Sequence, residues 1–140
     1  NIGFKERMII MDNVKITERG WAGHFICANR CRFRRNTLLE YKDKKIVVSS
    51  VGLMEDWGTK DGIFEYPTKF DTIGAFDRYY ETMCWYADLS DTRYYDIDVD
   101  RQIYFDSPWA INEIDADDKA NIMHNNVVEE IKNKLLDGRL

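Results

Sequence analysis

The densest run of chemistry-bearing side chains is Arg30-Cys31-Arg32-Phe33-Arg34-Arg35-Asn36, four arginines in six positions with a phenylalanine among them. A guanidinium matches two phosphate oxygens at once, stays charged at any working pH and stacks on flat rings. A second dense group is aromatic: Tyr79, Tyr80, Trp85, Tyr86, Tyr94, Tyr95 and Tyr104. Rings beside arginines suit base stacking combined with phosphate clamping. The expectation is that Arg34 and Arg35 hold a phosphate or pyrophosphate while Trp85 or a neighbouring tyrosine stacks on a base. Both groups also have plainer uses. The arginines would serve in an exposed loop paired to carboxylates of the second half, and the rings in a core or a homo-oligomer interface.

Other constellations point less sharply. His24, Cys27, Cys31 and Cys84 offer one nitrogen and three sulfurs, a zinc-type set. Cys84 is remote, however, and a strand over 21–27 would turn His24 and Cys27 to opposite faces. The expectation is a metal-free protein whose cysteines pack as small core residues. Neither His24 nor His124 sits in a nucleophile motif, and the chain has no glycine-rich phosphate loop, G-x-S-x-G or H-E-x-x-H. Asp96-Ile97-Asp98-Val99-Asp100 opens like a calcium loop. Arg101 and Ser107 then stand where that loop needs glycine and glutamate. The run reads better as one polar face of a strand, and the chain as a binding protein with no catalytic group and no cofactor.

The elements that must position these groups follow from periodicity. Strands are expected over Met8–Ile16 and Trp21–Cys27. Asn36–Tyr41 and Ile46–Val51 read as a hairpin around Lys42-Asp43-Lys44-Lys45. Residues 55–75, with Gly58, Gly62, Pro67 and Gly74, form the longest irregular stretch. Tyr79–Ala87 alternates Tyr79, Glu81, Met83, Trp85 and Ala87 against Tyr80, Thr82, Cys84 and Tyr86. Asp96–Phe105 alternates as well, with Ile97, Val99, Ile103 and Phe105 on an apolar face that Arg101 interrupts. Ala120, Met123, Val127, Ile131 and Leu135 recur at helical spacing, behind first-turn acids at Asp115, Asp117 and Asp118 and before Gly138. Strands followed by one C-terminal helix predict an α+β fold, an antiparallel sheet of about five to seven strands packed by that helix.

Composition bounds the rest. With 140 residues, 44% hydrophobic and 32% charged, the chain suits one folded domain over 8–140. Residues 1–7 read as upstream or appended sequence, since Met8 and Met11 are better starts. No apolar run reaches the roughly 20 residues that cross a bilayer. Three sparse cysteines suit a reducing cytoplasm. Residues 1–50 carry eleven basic against five acidic side chains, and 51–140 nine against twenty. The acidic part opposes long nucleic acids, whereas a small ligand with two or three phosphates is repelled less.

Arg19-Gly20-Trp21-Ala22-Gly23-His24-Phe25-Ile26-Cys27, then Phe33-Arg34-Arg35-Asn36-Thr37-Leu38-Leu39 and Arg78-Tyr79-Tyr80-Glu81-Thr82-Met83, give the chain a resemblance to small phage and prophage proteins. Within them it most resembles the phage sponge proteins that counter the Thoeris defence system by sequestering a cyclic ADP-ribose-type signal. The resemblance implies an α+β homo-oligomer in the host cytosol that binds a small cyclic nucleotide signal without cleaving it. The residues it would match first are Arg34, Arg35 and Trp85, with Asp96 and Asp98 as polar contacts. An acidic phage inhibitor of a CRISPR complex would look similar.

Overall fold

The computed structural model describes residues 13–20, 23–24, 28–56, 59–60, 63–64, 69–73, 77–103 and 109–140. The central strands have hydrogen-bonded partners on both sides and carry β-branched and aromatic residues that favour extended backbone. β1 (Lys15–Glu18), β2 (Cys31–Tyr41) and β3 (Lys44–Glu55) lead into the short strands β4 (Thr59–Lys60), β5 (Ile63–Phe64) and β6 (Phe70–Asp71). β7 (Tyr80–Ala87), β8 (Ile97–Ile103) and β9 (Ala110–Ile111) follow, and helix α1 (Asp117–Leu136) closes the order. The main sheet runs β1-β2-β3-β7-β8, with β6 beside β3 and β9 beside β7, and every pairing is antiparallel. The expected α+β architecture is therefore present, seven strands in one sheet and one C-terminal helix.

α1 lies on one face of this sheet. Val127, Ile131 and Leu135 pack on Leu39, Ile46, Val48, Cys84 and Ile103. Nearer the start of the helix, Ala116 and Ala120 meet Phe33, Leu53 and Tyr80. The buried stripe is Ala120, His124, Val127, Ile131 and Leu135. His124 takes the turn that periodicity assigned to Met123, because its ring finds hydroxyl partners in the sheet. α1 starts after Ala116, which gives no side-chain cap, with Asp117 and Asp118 in its first turn. Asp115 lies outside the helix at φ +58°. The Tyr80 hydroxyl supplies what a cap would: it accepts the Ala116 N–H at 3.0 Å and donates to Asp117 Oδ1 at 2.6 Å. At the far end Gly138, at φ +72°, permits the turn in which Arg139 N–H bonds Lys134 C=O at 2.9 Å.

Three expectations change. β2 begins five residues before the expected Asn36, so the arginine run lies at and within a central strand rather than in a loop. The hairpin turn is only Lys42-Asp43, because Tyr41 already pairs with Lys44. β8 does not keep one apolar face. Ile103 aligns with Cys84 on the helix side, while Ile97 aligns with Ala87 on the other, after a register shift between Trp85 and Ala87. Such an irregularity inverts the alternation beyond it and leaves Val99 73% exposed. The expected strand Met8–Ile16 is described only from residue 13, with β1 starting at Lys15. Most of Trp21–Cys27 lies outside the described residues, and Gly23 and His24 are not in a strand.

Gly52 is where β3 can tolerate no side chain. A Cβ there would stand 2.2 Å from the ring of Tyr80, itself fully buried. Gly52→Ala is expected to lower unfolding stability by about 1–3 kcal/mol or more, read as a reduced urea midpoint. An unchanged midpoint would show that Tyr80 can move.

Candidate functional site

β2 distributes the arginine run instead of concentrating it. Arg30 bonds the Glu55 carbonyl at 2.9 and 2.6 Å and Asp71 at 2.8 Å. Arg32 stands 3.8 Å from Glu55 and over the Phe70 ring. Arg34 and Arg35 are consecutive strand residues and so point to opposite faces. Arg34 falls in the cross-strand row with Val51 and Glu81, Arg35 in the row with Ser50 and Thr82. Arg35 grips the Glu18 carboxylate at 3.2 and 3.0 Å and Asn125 at 2.8 Å. The two arginines cannot close on one phosphate, which corrects the expected fork. Much of the run is paired to carboxylates, as the plainer reading had it.

Trp85 shares Arg34's face, but four residues along and two strands over, a separation of roughly 16 Å by strand spacings. Its ring is buried and packs on His24, centroids 5.1 Å apart. His24 is the hub of that face. Its Nδ1 lies 3.0 Å from Ser49 Oγ and its Nε2 2.7 Å from Glu81 Oε1, while Arg78 reaches Glu81 Oε2 at 2.6 Å. Serine, histidine and glutamate in this order have the connectivity of an acyl-transfer triad. Here Ser49 is fully buried in mid-strand, and β3 is hydrogen-bonded to β2 and β7 on either side. The arrangement pins residues 23–24 to the sheet.

The opposite face repeats the device. His124, fully buried on α1, has Nδ1 2.6 Å from Ser50 Oγ and Nε2 2.7 Å from Thr37 Oγ1. Ser50 continues to Thr82 at 2.5 Å, and Thr37 donates to Glu18 at 2.8 Å. Burial, with Arg35 nearby, pushes the His124 pKa down to about 4 against a smaller opposing pull from Glu18, so the ring is neutral at pH 7. Burial pushes the Glu18 carboxyl up, but hydrogen bonds from Arg35 and Thr37 outweigh it and the net shift is downward.

Asp96 and Asp98 guard the edge strand. Asp96 Oδ1 accepts the Ile97 N–H at 2.7 Å, and Asp98 Oδ1 the Asp100 N–H at 3.1 Å. The structure does not bring Arg34, Arg35, Trp85, Asp96 and Asp98 to one point. Among the described residues the zinc-type set is not assembled either. Cys84 lies in the helix-side core, its thiol pKa pushed up by burial, and His24 lies on the other face. Cys27 falls outside the described residues.

What does converge is a cationic cleft of about 370 Å³ beside the β2–β3 hairpin, lined by Asp43, Lys44, Lys45, Tyr86, Ala87, Leu89 and Arg101. The Arg101 guanidinium stands 4.4 Å above the Tyr86 ring. Lys44 Nζ bonds the Leu140 carbonyl, and Lys45 pairs with Glu40. Among the described residues neither Arg101 nor Lys44 has a carboxylate partner. The sequence carried two signs of this cleft: the polar run 42–45, taken for a turn, and Arg101, the one residue breaking the alternation of β8. Their meeting depends on β3 and β8 both flanking β7.

No protein-family model matches the chain, and neither does a curated protein or a solved structure.

His24→Ala would remove the hydrogen bonds at both ring nitrogens and leave Arg78 as the described partner of the buried Glu81 carboxylate. The expected loss is about 2–4 kcal/mol of stability at pH 7, measured by urea unfolding. A loss below about 0.5 kcal/mol would mean that the pin contributes little.

Proposed function

We propose that this chain is a binding module that takes up a small cyclic nucleotide signal of the cyclic ADP-ribose type and holds it intact, as the resemblance to phage sponge proteins implies. The observation that carries this reading is one open cleft lined by Lys44, Lys45 and Arg101, in which the Arg101 guanidinium lies on the Tyr86 ring. A chain of net charge −5 that lines one cleft with three basic residues and one acidic one, Asp43, has a local field suited to a compact anion. Lys44 and Arg101 would meet phosphate oxygens, and Tyr86 or the guanidinium lying on it would carry the base. The acidic second half works against longer polyanions. The phage anti-defence role, the host cytosol and the homo-oligomer rest on the resemblance alone.

A second reading, a phage inhibitor that binds a protein of a host defence complex, is favoured by a different feature. A groove of about 380 Å³ between α1 and β9 is lined by Ile111, Ile122 and Met123, with Ile122 59% exposed.

Calorimetric titration with cyclic nucleotides and cyclic ADP-ribose isomers, followed by recovery of the ligand from denatured protein, separates the readings. The expected result is saturable binding and an unaltered ligand. Lys44→Ala and Arg101→Ala should each weaken binding about tenfold, the size of one charge-assisted contact. A cleaved ligand would make the protein an enzyme. No binding, or binding indifferent to both substitutions, would set the cleft aside and favour the inhibitor reading.

A further inference from the structure

The polar seam under α1 has a direction. The Glu18 carboxylate is ionised at neutral pH and can only accept, so the Thr37 hydroxyl, 2.8 Å away, spends its single proton there. Thr37 Oγ1 must then accept from His124 Nε2, 2.7 Å off, which fixes the neutral ring as the Nε2–H tautomer. His124 Nδ1 is left as an acceptor, so Ser50 donates to it at 2.6 Å. Ser50 has no second proton, and Thr82 therefore donates to Ser50 at 2.5 Å. One carboxylate on β1 thus orders every proton across β2, α1, β3 and β7.

We infer that this one-way chain, Thr82 to Ser50 to His124 to Thr37 to Glu18, is an acid-sensitive latch that keeps α1 docked only while His124 is neutral. A second proton on the ring turns Nδ1 into a donor pointing at the donating Ser50 hydroxyl. Ser50 and Thr82 would both have to turn, inside an interface that is fully buried at His124, Ser50 and Thr82. The charged groups facing the ring are Glu18 from β1 and Arg35 from β2, while β3 and β7 offer only Ser50 and Thr82. Glu18 lies one hydroxyl away and Arg35 opposes the new charge, so the imidazolium has no direct anionic partner.

The sign follows from the folded-state pKa lying below the ordinary value of 6.5. The unfolded chain binds the proton more tightly, so this contribution to stability is complete above about pH 6.5 and declines as pH falls towards 4. Because the strained contacts lie between helix and sheet, α1 amides should lose hydrogen-exchange protection before those of β3 and β7.

The experiment uses the whole chain in two arms. ¹⁵N NMR at pH 7 should show His124 protonated at Nε2 and bare at Nδ1, and Glu18→Gln, whose amide can donate to Thr37, should populate the other tautomer. Amide exchange at about pH 7 and pH 5 should show α1 protection falling at least tenfold more than that of β3. His124→Gln, whose amide can donate to Thr37 and accept from Ser50 without titrating, should abolish that difference. An Nδ1–H ring at pH 7 would overturn the direction of the chain. Equal loss of protection in α1 and β3, or the same pH response in His124→Gln, would overturn the latch.

Discussion

The structure depends most on how two consecutive serines divide the faces of β3. Ser49 points to one face and holds His24, and Ser50 points to the other and holds His124. These are the only histidines in the chain, and both are buried against the central strand. A buried imidazole costs free energy unless both ring nitrogens find partners. Each meets that condition through one β3 hydroxyl and one group from a flanking strand, Glu81 of β7 or Thr37 of β2. Slipping β3 by a single residue would put one serine in the other's place and a valine, Val48 or Val51, against the second ring, which would lose its hydroxyl partner. The register of the sheet is therefore specified by hydrogen bonds as well as by its apolar alternation.

That register also builds the cationic cleft. Lys44 and Lys45 begin β3, Tyr86 lies near the end of β7 where Ile46 pairs with it, and Arg101 comes in from β8. The bulge between Trp85 and Ala87 falls at this corner, so the cleft forms where the β7–β8 ladder is irregular. Bulges recur where a sheet re-aims a side chain. The interior between the sheet and its cover, by contrast, is filled with hydrogen-bonded pairs around Ser49 and Ser50. Ser49, His24 and Glu81 share there the connectivity of a catalytic triad, with Ser49 fully buried in mid-strand.

Much of the fold was legible in the sequence because alternation and helical spacing are local. The two faces of β7 match the pattern of Tyr79–Ala87, and α1 follows the apolar stripe that ends before Gly138. The misreadings share a cause. Arg30 to Arg35 resembled a loop because charge was taken for exposure, yet Arg30 beside β2 and Arg32 and Arg35 within it each meet a group from a distant segment. His124 resembled a polar residue beside the stripe because its partners, Thr37 and Ser50, are more than 70 positions away. The inverted face of β8 depends on a bulge in pairing that no single-strand pattern contains. The candidate site was legible only in its ingredients, arginine and tyrosine, because their convergence is set by strand order.

Residue-resolved mapping of a bound ligand tests the functional account most directly. In a ¹H–¹⁵N titration of the intact chain with the tightest-binding cyclic nucleotide, the account predicts that the largest shifts fall on Lys44, Lys45, Tyr86 and Arg101. Those of Arg35 and Trp85, held in the interior contacts described above, should change little. Shifts centred on the groove of Ile111, Ile122 and Met123, or no shifts at saturating ligand, would contradict it.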